Sequence, residues 1–202
     1  NISYDTICHE HLEYYSLKSL KFLLDKVGLK IVNLSFNQIN GGSIELDVSK
    51  NNSKYKEIKS LISWVQESEK INKYNDITRQ KEFFAKCKSH KNLLKKLLIK
   101  LKKQKKKIFG YGASTKGNVI LQYCNIDQKL IPYIGEINKF KFNKFTPGTK
   151  IKIISERLIK KKKPDYLLVL PWHFKEHILR REQKFLKQGG KFIFPLPDIE
   201  II

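Results

Sequence analysis

The chain contains no methionine, only six prolines, and three cysteines (Cys8, Cys87, Cys124) that stand far apart. Only four of its 41 Lys+Arg residues are arginine: Arg79, Arg157, Arg180 and Arg181. Each scarcity excludes something. Widely spaced cysteines, odd in number and without a CxxC pair, leave no disulfide framework and no cysteine metal site, and they fit a reducing cytoplasm. No apolar run approaches the roughly 18 residues that a membrane span needs, and no secretory leader pattern opens the sequence. The formal net charge of +22 attracts phosphate. Reading of bases and bidentate clamping of phosphates favour arginine over lysine, however, so nucleic acid is not the expected partner. The runs Lys102–Lys107 and Lys160–Lys163 read as solvated surface, and the abundance of Lys, Ile and Asn together fits AT-rich coding. A chain that starts at Asn1 and lacks methionine is expected to be a piece of a longer protein.

What is present is enough for a folded core: 202 residues, 41% hydrophobic and 11% aromatic. Ser16 is placed to cap a helix over 16–27, whose stripe is Leu17, Leu20, Leu23, Leu24 and Val27, with Gly28 ending it. Strands are expected over 29–36 and 43–49, joined by a turn at Asn40-Gly41-Gly42. Residues 54–107 read as two or more helices, most clearly along Phe83, Phe84, Cys87, Leu94, Leu97, Leu98 and Leu101. His90 stands there among lysines and reads as a solvated helix residue. From Lys107 onward strands and helices alternate: strands at 107–110, 130–136, 151–154, 165–170 and 191–194, with helices at 115–123, after 154, and at 175–187. Such alternation predicts an α/β fold with a parallel sheet and right-handed crossovers.

Two motifs carry chemistry. The stretch Gly110-Tyr111-Gly112-Ala113-Ser114-Thr115-Lys116-Gly117-Asn118 falls between a strand and a helix. Backbone amides and a helix N-terminus there favour an anion of nucleotide type; the alternative is a glycine turn used only for packing. The spacing departs from GxGxxG, since Thr115 holds the third glycine's place, and Asn118 stands where the P-loop requires lysine. Glu136 ends the next strand, to meet a ribose hydroxyl or to sit on the surface. The second motif is Cys8-His9-Glu10-His11. On an extended segment His9 and His11 share a face. A histidine near neutral pKa suits proton abstraction beside a carbonyl. No companion motif supplies further metal ligands. Trp172 and His173 follow the apolar strand at 165–170, on the rim where parallel sheets bind ligands, to stack on a base, to hydrogen-bond a sugar or phosphate, or to close the core edge. His177 reads as exposed, and Cys124 as a small core residue. Tyr4, Tyr14 and Tyr15 read as packing.

Residues 4–14, Gly41-Gly42-Ser43, the Gly110–Asn118 stretch, Thr146-Pro147-Gly148-Thr149, Pro171-Trp172-His173-Phe174 and Gly189-Gly190-Lys191 occur in the order seen in one family. Together they resemble the sugar-nucleotide C-methyltransferases, and the resemblance runs over essentially the whole chain. It implies an S-adenosylmethionine-dependent enzyme that methylates the carbon beside the ketone of a nucleotide-linked deoxysugar. It implies three segments: 1–52 as the end of a class I methyltransferase domain, 53–106 as a helical linker, and 107–202 as a Rossmann-like C-terminal domain. The family's Tyr-His-Glu-His motif falls on Cys8, His9, Glu10 and His11, with His11 as the base; a cysteine stands in the tyrosine's place. The substrate-binding residues then expected are Gly110, Tyr111, Gly112, Ser114, Thr115, Lys116, Trp172 and His173. The methyl-donor loop and a zinc-binding domain are expected upstream, and the 202 residues alone are expected to be inactive. A non-catalytic nucleotide-binding module and a nicotinamide-dependent oxidoreductase stand as alternatives.

Overall fold

The computed structural model describes residues 2–37, 39 and 42–202, so Asn40 and Gly41 of the expected turn lie outside the described residues. Compactness divides the chain into two units: residues 1–10 with 86–202, and residues 11–85.

Within residues 11–85, α1 (Leu17–Lys26) begins as expected at Ser16, whose side chain accepts from the Ser19 amide. A second cap comes from far along the chain. The buried Glu69 carboxylate accepts from the Leu17 amide at 2.5 Å and the Lys18 amide at 3.1 Å. A helix start leaves such amides without partners and favours negative charge. Gly28, at φ +72°, ends the helix in a conformation that other residues resist. Strands β1 (Leu29–Asn37) and β2 (Ser43–Lys50) pair antiparallel, with an irregularity between Ile31 and Asn33. With α2 (Lys59–Ile71) they enclose a small core of Leu17, Ile31, Leu34, Ile62 and Val65.

Helix α3 (Ile77–Lys103) carries the second helical stretch. Its buried stripe is Cys87, His90, Leu94, Leu98 and Leu101. His90 is therefore a core residue, which corrects the solvated reading. It is 5% exposed, Nε2 donates to the Pro195 carbonyl, and Nδ1 accepts from the Tyr4 hydroxyl at 3.1 Å. Burial becomes tolerable because both ring nitrogens have partners. Tyr4 also lies 3.2 Å from the sulfur of Cys124, which is fully buried as expected.

The other unit is built on a six-stranded sheet in the order β5-β4-β3-β6-β7-β8. Strands β3 (Ile108–Tyr111), β4 (Tyr133–Glu136), β5 (Lys152–Ser155), β6 (Tyr166–Val169) and β7 (Lys191–Phe194) are parallel; β8 (Glu200–Ile201), absent from the sequence reading, pairs antiparallel at the edge. This is the expected Rossmann-like α/β arrangement. The strand expected from Leu130 begins only at Tyr133, because the amides of Leu130 and Ile131 both turn back to the Asp127 carbonyl. Helices α4 (Thr115–Tyr123) and α5 (Glu156–Lys161) follow β3 and β5. The single helix expected over 175–187 is instead two, α6 (Lys175–Arg181) and α7 (Gln183–Lys187). They break at Glu182, whose side chain is buried at 4% exposure and collects cationic and hydroxyl donors. Chain order runs from β3 to β4 and β5 on one side and resumes at β6 on the other. The reversal beside β3 is where open parallel sheets form a ligand crevice.

Candidate active site

The glycine turn opens that crevice. Gly112 has φ +77°, and a β-carbon on it would meet the Pro171 ring at 2.7 Å; one on Gly117 would meet Leu170 at 2.6 Å. These glycines let the start of α4 press against the end of β6. Ser114 caps α4 by accepting from the Gly117 amide at 3.0 Å. The amides of Gly112 and Ala113 donate to the Gly135 carbonyl and to Glu136, each at 2.8 Å. Glu136, 7% exposed, accepts from Ile137 and Asn138 as well. Lys141 lies 3.8 Å from it and donates to the Ala113 carbonyl at 2.7 Å. The surface reading of Glu136 is thus corrected: its carboxylate is an internal anion that holds the turn closed.

Cys8, His9 and Glu10 form a bend and turn and not an extended segment, so alternation along a strand does not set their directions. His9 and Glu10 are exposed and 4.0 Å apart. Glu10 lies 3.4 Å from the Thr115 hydroxyl, so the two motifs legible in the sequence meet in space. His11 is half-buried, with its ring edge-on to Tyr14 at 6.4 Å. Close to Trp172 and Lys116 sits a residue that sequence reasoning missed. Asp5 is fully buried and accepts from the Trp172 indole at 2.7 Å. Burial pushes its carboxyl up, against that hydrogen bond and the charge of Lys116. Trp172 packs on the core and is tied by its N–H to Asp5, which agrees with its core-edge alternative. His173 is exposed; burial of its ring atoms and the charge of Lys116 push its pKa down. His177 is exposed, as expected.

Against the turn lies a cavity of about 370 Å³, lined by Tyr111, Gly112–Ser114, Glu136, Ile137, Glu156, Pro171, Phe174, His177, Ile178 and Arg181. Its charged wall is a network. Arg181 reaches Glu156 at 2.7 Å, Glu182 at 3.1 Å and the Tyr111 hydroxyl. Tyr111 donates to Glu182 at 2.9 Å, and Lys160 pairs with Glu182 at 2.7 Å. Burial pushes the Glu156 carboxyl up to about 7; Lys160 opposes this, and the carboxylates of Glu182 and Glu136 add to it. Arg181, so close, pulls the other way. Glu156 and Arg181 lie on short helices and Glu182 at the break between two, with no motif around them, so only the folded chain brings them together.

Among the described residues, no three His, Cys, Asp or Glu side chains gather to hold a metal, and no helix is long and apolar enough to cross a membrane. Residues 38–197 match the family model described as the C-methyltransferase C-terminal domain. The chain is also similar to C-methyltransferase NovU of Streptomyces niveus, 30% identical over 202 residues, covering 100% of this chain and 48% of that protein. It therefore spans about half the length of the curated relative it matches. A Rossmann-like sheet, Glu10 against the start of the helix after the glycine turn, and a family match over most of the sequence agree: the chain belongs to the C-methyltransferase C-terminal domain family.

Proposed function

We propose that this chain is the C-terminal part of an S-adenosylmethionine-dependent C-methyltransferase acting on a nucleotide-linked keto-deoxysugar. The observation that carries the reading is the approach of Glu10, the residue before the proposed base, to Thr115 at the start of α4. In this reading residues 1–52 are the end of the methyltransferase domain, 53–106 a helical linker, and 107–202 the substrate-binding domain. The substrate's phosphates meet Thr115 and Lys116 at the start of α4. Gly110, Tyr111, Gly112 and Ser114 shape the turn that places that helix, and Trp172 and His173 stand on the adjoining rim. His11 takes the proton from the carbon beside the ketone, with Glu10 and His9 as its neighbours. The resulting enolate would be the nucleophile toward the methyl group that S-adenosylmethionine would supply from elsewhere in the protein, its sulfur leaving as the thioether.

The residues here do not fit the donor itself. The three glycines of the turn make room for this chain's own Ile134, Pro171 and Leu170, and Glu136 is engaged by backbone amides. The donor site and the zinc site are accordingly assigned upstream, and the cytoplasm is the proposed location. A nicotinamide oxidoreductase reading loses its ribose partner for the same reason.

His11→Ala in the full-length protein tests the base. Methyl transfer, and deuterium exchange at the substrate carbon without donor, should both fall roughly 10²–10⁴-fold, the contribution of a positioned general base. Exchange at the parental rate would remove His11 from that role and make His9 the next candidate.

A further inference from the structure

We propose that the cavity beside the glycine turn is a nucleobase slot, in which Glu156 and Arg181 read the base edge while Ile137 and Phe174 cover its faces. This rests on the nucleotide-sugar reading above and assigns the neutral end of that substrate.

The charges select the class of ligand. Glu136 and Glu156 both line the cavity, so a phosphate or carboxylate there would stand beside two carboxylates. Arg181 also lines it, which opposes a cation. A neutral group that both donates and accepts hydrogen bonds matches a wall where a carboxylate and a guanidinium stand 2.7 Å apart. Beside Ser114, His177 and the Tyr111 hydroxyl the rest of the lining is apolar, yet Ile137 is 66% and Phe174 56% exposed. Large apolar side chains that line a cavity and remain open to water gain most from a flat ring laid on them.

The polar wall is held in advance. Arg181 is fixed by Glu156, Glu182 and the Tyr111 hydroxyl, and the Glu156 side chain is 15% exposed. Groups already ordered lose little freedom when a ligand binds. About 370 Å³ falls in the range of small-molecule sites. Ser114 both lines the cavity and caps α4, so phosphates attached to a base in the slot extend toward Thr115 and Lys116.

Calorimetry on the 202-residue chain tests this with inorganic pyrophosphate and the diphosphates of uridine, thymidine, guanosine and adenosine. One nucleotide should bind at least about tenfold more tightly than the weakest. Phe174→Ala should weaken that nucleotide roughly tenfold, in the range of base stacking on an aromatic ring, and change pyrophosphate less than about twofold. Glu156→Gln should change the order of preference among the bases. Because Phe174 and Ile137 are exposed, Phe174→Ala and Ile137→Ala carry the test even if Glu156→Gln fails to fold. Equal binding of all four nucleotides and pyrophosphate, or equal losses on Phe174→Ala, overturns the slot and leaves the nucleotide-sugar reading standing. Binding of none overturns both.

Discussion

The sheet of β3–β8 and the hairpin of β1 and β2 bury their strands very differently. In β3 every residue is buried, and β6 and β7 each expose only their first residue partly or fully. In β2 no residue is buried, and Phe36 of β1 and Val48 of β2 are 58% and 44% exposed. Parallel strands covered on both faces become apolar throughout, whereas a two-stranded sheet covers little and is marginal by itself. The core of residues 11–85 comes down to a few side chains around Leu17 and Ile31, and Leu12, Phe22 and Trp64 stay more than half exposed. The difference teaches where cohesion resides: in the unit that contains the glycine turn.

Paired substitutions sharpen that contrast. Phe192→Ala removes a fully buried ring that touches Tyr111, Phe185 and Phe194. It should destabilise the sheet unit by about 3–5 kcal/mol, read by chemical denaturation. Phe36→Ala should stay within about 0.5 kcal/mol. Similar losses would break the comparison. Next in size is Glu69→Ala. It strips the start of α1 of its long-range cap and should cost about 1–2 kcal/mol within residues 11–85. Glu69→Gln, which keeps an acceptor, should lose less. If the alanine and glutamine variants melt alike, the cap is not what holds α1. Tyr4→Phe leaves His90 Nδ1 without its donor and should cost about 1 kcal/mol, with near-parental stability as the contrary result.

The smallest effects are in pH, and their signs differ. Burial pushes His90 down from its ordinary 6.5, against the Pro195 carbonyl and Asp198. Its contribution to stability is present above about 6.5 and is lost as pH falls toward the lower folded value. Burial pushes Glu156 up from 4.5 to about 7 and Arg181 at 2.7 Å opposes it, so its contribution is present below about 4.5 and is lost as pH rises toward 7. Melting temperatures between pH 4 and 8 should therefore lose their acid slope in His90→Gln and their opposite slope in Glu156→Gln. Unchanged profiles would refute the assignments.

His90 shows how a legible signal can be passed over. It falls three residues after Cys87 and four before Leu94, on the buried stripe of α3, so helical spacing alone placed it inside. Its lysine neighbours misled, because they occupy the other faces. Asp5 offered no such signal; a lone acidic residue before a motif has no period. The break at Glu182 was equally hidden, since its partners Tyr111, Lys160 and Arg181 come from three elements.

By itself the sequence determined the order of the parallel strands β3–β7 and the ends of α1 and α4. All of these rest on interactions within a few residues: caps, glycines, and runs apolar enough to need cover on both faces. Only the tertiary structure decided that Glu136 closes the glycine turn, that Glu10 meets Thr115, and that Glu156 and Arg181 share one cavity wall. Those pairings follow from which strand ends the crossovers bring together, and a buried charge is tolerated only where such distant partners satisfy it.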